Sequence, residues 1–165
     1  MLYITKNSEY VKKDSNGAVY CSERAISTDD DVVIVLDAPL IAYHPIRAKT
    51  LVASCVATRS DDSLDMGIES HKSITAKEGI YVIGHLMSKE KITCRGDICT
   101  TGFISAPTIK AKGKLVCNMI GTYYPNCAPV ESVECGKIAC GGEIMCSNVM
   151  VGGKAMNTVK ENNNA

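Results

Sequence analysis

The chain has 165 residues, about the size of one domain, and its 45% apolar content is enough to fill a core. Eighteen Lys and Arg balance eighteen Asp and Glu, so no net field draws in a polyanion or imitates one, and nucleic acid is not indicated as a partner. One Phe, seven Tyr and no Trp argue for a narrow interior of stacked aliphatic side chains rather than a wide one filled by rings.

The first 31 residues lack any period. Short apolar stretches at Leu2 to Ile4, Tyr10 and Val11, and Ala18 to Tyr20 flank Asp14-Ser15-Asn16-Gly17, a strong tight-turn signal. They predict a hairpin over residues 1–31 that lies across the first strands of the remaining chain and hides their open edge. The acidic segment Thr28 to Asp31 then leads into a first strand, Val32 to Leu36. Met1 to Lys6 hold no basic region followed by a long apolar run, and no later stretch reaches the length of a membrane span. A cytoplasmic location with reduced thiols is expected, with no membrane partner.

From Ile68 onward an aliphatic residue returns every six positions: Ile68, Ile74, Ile80, Leu86, Ile92, Ile98 and Ile104, then Ile109 and Leu115 after a slip. A small or apolar residue follows most of them by two, as in Ile74 and Ala76, Ile80 and Val82, Ile92 and Cys94, or Leu115 and Cys117. That is the pattern of a very short strand and a corner. Glycine stands two residues ahead of the aliphatic at Gly84, Gly96, Gly102, Gly113, Gly136 and Gly142, where it is expected to allow a sharp bend.

At a spacing of sixteen to eighteen the anchors form three columns. One runs Ile46, Leu64, Ile80, Ile98, Leu115, Val133 and Val149; a second runs Ile34, Leu51, Ile68, Leu86, Ile104, Ile120 and Ile138. The third runs Leu40, Val56, Ile74, Ile92, Ile109, Cys127 and Ile144. The expectation is an all-β fold: a single-stranded, three-sided parallel β-helix of about six to seven coils over residues 32–153. Within it Ser60 to Ser63 is a corner loop. Residues 118–132 make the least regular coil, and the segment Tyr123-Tyr124-Pro125-Asn126 is its candidate for a specific contact. The polar tail, 154–165, is expected to be disordered, with no cap at that end.

Nine cysteines need an explanation in a chain expected to be reduced. Cys94, Cys117, Cys135, Cys140 and Cys146 each follow an anchor by two, an inward position that suits a small apolar side chain, so they read as core thiols. Cys117 and Cys135, eighteen apart, are expected to stack on neighbouring coils. The cysteine spacings follow the repeat rather than a zinc knuckle, and neither a metal nor another cofactor is expected.

No catalytic residue is assigned. His44, His71 and His85 read as exposed side chains without a carboxylate partner, and no nucleophile elbow, P-loop or dinucleotide fingerprint occurs. What remains is surface. Outward positions beside the anchors hold Tyr81, Ile83, Met87, Cys99, Phe103, Val116, Met145 and Met150. Of these, Tyr81, Met87, Phe103, Val116, Met145 and Met150, together with Tyr123 and Tyr124, are the candidate protein contacts, because an aligned apolar strip favours association. A basic stripe of Lys89, Lys91, Arg95, Lys110, Lys112 and Lys114 reads as solvated surface.

The repeated Gly-x-Ile/Leu triplets on a three-sided coil resemble the bactofilins, bacterial polymer-forming β-helical proteins, over about 120 residues. The resemblance implies a β-helical core that polymerises end to end through its terminal coils, with flexible tails outside it. The chain departs from that plan in its N-terminal hairpin and in lacking an amphipathic tail. A hexapeptide acyltransferase, the other six-residue solenoid, asks for a small residue where this chain has Lys72, Glu78 and Glu90, and is a remote alternative. The expected function is therefore a non-catalytic scaffold or protein-binding module whose partner is itself or another protein. The alternative is a small inhibitor from a phage or mobile element, an anti-CRISPR or other anti-defence protein, blocking a host protein through one face.

Overall fold

The computed structural model describes residues 1–56, 67–124 and 127–156. The expected corner at Ser60 to Ser63, the anchor Leu64, Pro125, Asn126 and residues 157–165 lie outside them. The fold is all-β, with no helix among the described residues. Its strands form one eleven-stranded and one seven-stranded sheet. Strand pairing is parallel except at Lys12–Lys13 with Tyr20–Ser22 and at Val149–Val151 with Lys154–Met156.

Three ladders of aliphatic side chains fill the interior. In the first, Ile26, Ile46, Ile74, Ile92, Ile109, Val133 and Val149 lie opposite one another on successive strands. The second runs Leu2, Val32, Leu51, Ile80, Ile98, Leu115 and Ile138. The third, in the smaller sheet, runs Tyr20, Leu40, Ile68, Leu86, Ile104 and Ile120, with Ile144 bridged to Ile120. Ile46, Ile74, Ile92 and Ile98 are fully buried. Removing the apolar surface of such side chains from water is the main drive to form these ladders.

The expected columns hold over Ile68 to Ile120 and fail on either side. Ile46 lies opposite Ile74, not in the column of Ile80, and Leu51 lies opposite Ile80, not opposite Ile68. These pairs are 28 and 29 residues apart, because the chain between Cys55 and Gly67 adds residues that the sixteen-to-eighteen spacing leaves no room for. The irregular stretch before Ser132 does the same. Val133 joins the ladder of Ile109 and Ile138 that of Leu115, spacings of 24 and 23 residues.

Both ends differ from expectation. A hairpin forms, with Ala18 N–H donating to the Asp14 carboxylate and Gly17 at φ 68°, but it joins only Lys12–Lys13 to Tyr20–Ser22. The rest of residues 1–31 continues the parallel ladders: Leu2–Ile4 pairs with Val32–Ile34 and Ile26–Ser27 with Ile46 and Arg47. At the other end Lys154–Met156 are not disordered. They turn back at Gly152 and Gly153 (φ 60° and 80°) and pair antiparallel with Val149–Val151. Each sheet thus ends at one side in an antiparallel hairpin whose last strand carries lysine, a residue that discourages strand addition.

The glycines do a different job from the one expected. Of the six that precede an anchor, Gly84 alone has positive φ, 112°. The others admit close approach of neighbouring chain, backbone at Gly96, Gly136 and Gly142 and the side chains of His85 and Asp97 at Gly102 and Gly113. A Cβ on Gly96 would overlap the carbonyl oxygen of Glu78, and one on Gly136 would sit 2.7 Å from the Lys112 carbonyl oxygen. Buried hydroxyls answer the same crowding at the corners: Ser70 donates to the His44 carbonyl (3.2 Å) and Ser88 to the Lys72 carbonyl (2.6 Å). Each hydroxyl oxygen also accepts a backbone N–H two residues on, from Lys72 and Glu90, so no cost of an unmade bond arises there.

Candidate functional site

Alternation along a strand sends every second side chain outward, and the second ladder therefore has an outer counterpart. On the outward register Tyr3, Val33, Val52, Tyr81, Cys99, Val116 and Ala139 follow one another on seven adjacent strands. Strands about 4.8 Å apart make this line about 29 Å long. No member carries a charge. Tyr3, Val52 and Tyr81 are 58%, 43% and 40% exposed, and Val35 and Ile83, also exposed and two residues beyond Val33 and Tyr81 on their strands, widen the strip. The ring of Tyr81 lies across Gly79, where a Cβ would come within 2.9 Å of its Cζ. Partial burial, then the Asp97 carboxylate, raises the Tyr81 hydroxyl above the ordinary tyrosine range, so the strip stays uncharged at neutral pH.

Tyr81 and Val116 are the predicted contacts that this face brings together, with Ile83 and Cys99 beside them. Tyr3, Val33 and Val52 were missed. The signal for Val33 lies in the run Val32-Val33-Ile34-Val35-Leu36, apolar on both alternating faces, whereas Val52 comes beside Tyr81 only with the 29-residue spacing between their strands.

The remaining candidates lie elsewhere. Phe103 points outward yet is buried, because the His85 ring stacks on it at 3.9 Å between centroids and Tyr124 meets it edge-on at 5.5 Å. Phe103 N–H donates to His85 Nδ1 (3.1 Å), so the neutral imidazole carries its proton on Nε2. This places His85 in a packed aromatic cluster rather than in the expected exposed position. Met87 is half-buried on the smaller sheet, between Glu69 and Ser105. Tyr123 is 69% exposed and donates to the Glu143 carboxylate, a bond that raises its pKa. Met145 is half-buried beside Gly121, and Met150 lies opposite Glu134. His71 Nε2 is 3.8 Å from the Glu69 carboxylate, a partner that sequence spacing did not imply, and its ring meets Tyr43 edge-on.

Cys94, Cys117, Cys135 and Cys146 are buried, whereas Cys140 is half-buried at the C-terminal edge of the core. Cys117 lies opposite Cys140 and Cys135 opposite Ala111, so the expected stacking of Cys117 on Cys135 is replaced. Burial, and next the Cys140 thiol, push the Cys117 thiol well above the ordinary cysteine range; burial pushes Cys55 to about 12. Such thiols are poor metal ligands and poor nucleophiles at neutral pH. Among the described residues no three His, Cys, Asp or Glu side chains cluster as a metal site. No helix among the described residues is long and apolar enough to cross a membrane.

In comparisons with known proteins, the chain matches no family model, no curated protein and no solved structure.

Proposed function

We propose that the chain is a three-sided parallel β-helix, bactofilin-like in shape, and that it acts as a non-catalytic scaffold binding protein through its apolar sheet face, in the first place a second copy of itself. The observation that carries this reading is the uncharged outward line from Tyr3 to Ala139. The three inward ladders, each advancing by one strand per repeat, support the β-helix. The hairpins at Lys12–Ser22 and Val149–Met156 interrupt parallel strand addition, which favours side-by-side association over the end-to-end polymer that the bactofilin likeness implies. Nine cysteines, with no disulfide among the described residues, suit a reducing, cytoplasmic setting.

The strip covers roughly 300 Å² at one to two side chains wide, below the roughly 800 Å² per partner of a standard interface, so self-association is weak and concentration-dependent. Sedimentation velocity from ten micromolar to one millimolar tests it. A rising weight-average mass supports the reading; a monomer at every concentration sinks self-association. The same capped edges favour a second reading, a discrete inhibitor or adaptor that blocks another protein with this face. That reading gains if the chain stays monomeric and a Tyr81→Lys variant loses a partner that wild type captures.

A further inference from the structure

A groove of about 810 Å³ crosses the larger sheet on a different outward register. Its walls hold Arg47, Lys77, Arg95, Lys110 and Lys112 against one carboxylate, Glu134. In a chain with equal numbers of acidic and basic residues, that is a strong local imbalance. Sequence order hides it: the expected stripe contained Arg95, Lys110 and Lys112, but folding replaces Lys89, Lys91 and Lys114 with Arg47 and Lys77 along the groove.

The arrangement is set by the register. Arg47, Thr75, Thr93 and Lys110 stand opposite one another on four successive strands. Lys77, Arg95 and Lys112 each follow by one residue the inward side chains Ala76, Cys94 and Ala111, which are themselves opposite one another. Three cations therefore rise in steps of about 4.8 Å along one wall, facing two threonine hydroxyls flanked by two more cations. Arg47 and Lys77 share Asp29 at 3.7 and 3.2 Å, and Lys110 meets Glu134 at 3.9 Å. These are exposed pairs of small net worth that an anion can displace. Among the described residues Arg95 and Lys112 make no ion pair.

We infer that this groove binds a small oligophosphate, two or three linked phosphates such as those of a nucleotide. Lys, Arg and Thr all donate hydrogen bonds, which is what phosphate oxygens require. A peptide strand finds no free edge to pair with here, because the groove runs across the face of paired strands as far as the turn at Gly152 and Gly153. No aromatic residue lines it, so it has no platform for stacking the bases of single-stranded nucleic acid. The cation wall is three strands deep, a reach suited to a few phosphates.

Isothermal titration with inorganic tripolyphosphate, ATP, AMP and a ten-residue oligothymidylate tests this at low and moderate salt. Tripolyphosphate is expected to bind, at least tenfold more weakly to an Arg95→Ala, Lys112→Ala variant and more weakly as salt rises. ATP binding tighter than tripolyphosphate identifies a nucleotide as the source, and equal binding identifies phosphate alone; AMP binds weakest in either case. Absence of tripolyphosphate and ATP binding overturns the inference, as does binding that the double variant leaves unchanged while its melting curve matches wild type. Oligothymidylate binding tighter than tripolyphosphate overturns it in favour of nucleic acid. Both substitutions lie off the Tyr3–Ala139 line, so failure here leaves the association reading untouched.

Discussion

Oxidation of the folded protein with diamide, a diazene, should join Cys117 to Cys140. Two thiols lose two protons and two electrons, the S–S bond forms, and the diazene is reduced to the hydrazine. The two residues are opposed on neighbouring parallel strands, where Cα atoms about 4.8 Å apart fall within the roughly 4.4–6.8 Å that a disulfide spans. Their thiols interact directly, and Cys135 acts on Cys117 more weakly than Cys140 does. Closing a loop of about 23 residues restricts the unfolded chain by about 3 kcal/mol on the chain-entropy account, before any strain is subtracted. The assay is peptide mapping without reductant, with the urea midpoint measured before and after oxidation. A linked peptide pair, a loss of two hydrogens and a higher midpoint are expected. The reaction should quicken as pH rises, because burial and the neighbouring thiol hold Cys117 protonated at neutral pH. Cys117 joined instead to Cys135, or left unlinked while other thiols react, refutes the register assigned to the C-terminal ladders.

Three further outcomes are expected from the packing. Gly96→Ala should destabilise by about 1–3 kcal/mol, since its Cβ meets a backbone carbonyl that cannot rotate away; an unchanged or raised urea midpoint would contradict the close approach. Ile92→Ala, in the middle of the first ladder and fully buried, should cost about 2–5 kcal/mol, whereas Ile83→Ala, 53% exposed, should stay within about 0.5 kcal/mol; equal costs in denaturant titrations would reverse the inside and outside of these strands. Tyr20 donates to the Asp37 carboxylate at 2.6 Å, and burial, then that bond, raise its pKa to about 12. The folded state therefore holds a proton that the unfolded state loses above about pH 10, so wild-type stability should fall as pH rises from about 10 to 12; Tyr20→Phe should make that fall shallower, leaving the share of the other raised groups such as Cys55.

The six-residue recurrence made the all-β class and the middle of each ladder legible, because an inward aliphatic and an inward small residue must reappear wherever a short strand repeats. It failed where the chain inserts residues between Cys55 and Gly67 and before Ser132. Spacing cannot reveal how many extra residues leave the ladder, so Ile46, Val133 and Ile138 fall in the wrong columns when placed by period alone. The terminal hairpins show the same limit: Lys154 and Ala155 look like tail until Gly152 and Gly153 reverse the chain. Tyr81 and Val116 were legible as outward and apolar, but their alignment with Val52 and Tyr3 is a property of the register. Phe103 differs from its expected exposure because exposure depends on what stacks above a ring, and nothing in local sequence brings His85 and Tyr124 to it.

The most direct test compares wild type with a Val52→Lys, Tyr81→Lys variant by sedimentation equilibrium up to one millimolar, each checked by its melting curve. Both substitutions add charge at exposed outward positions and leave the inward ladders intact. Concentration-dependent association of wild type that the variant loses, at unchanged thermal stability, is the expected result. Association that persists in the variant, or a wild type that stays monomeric throughout, contradicts the apolar face as the surface on which copies of this chain meet.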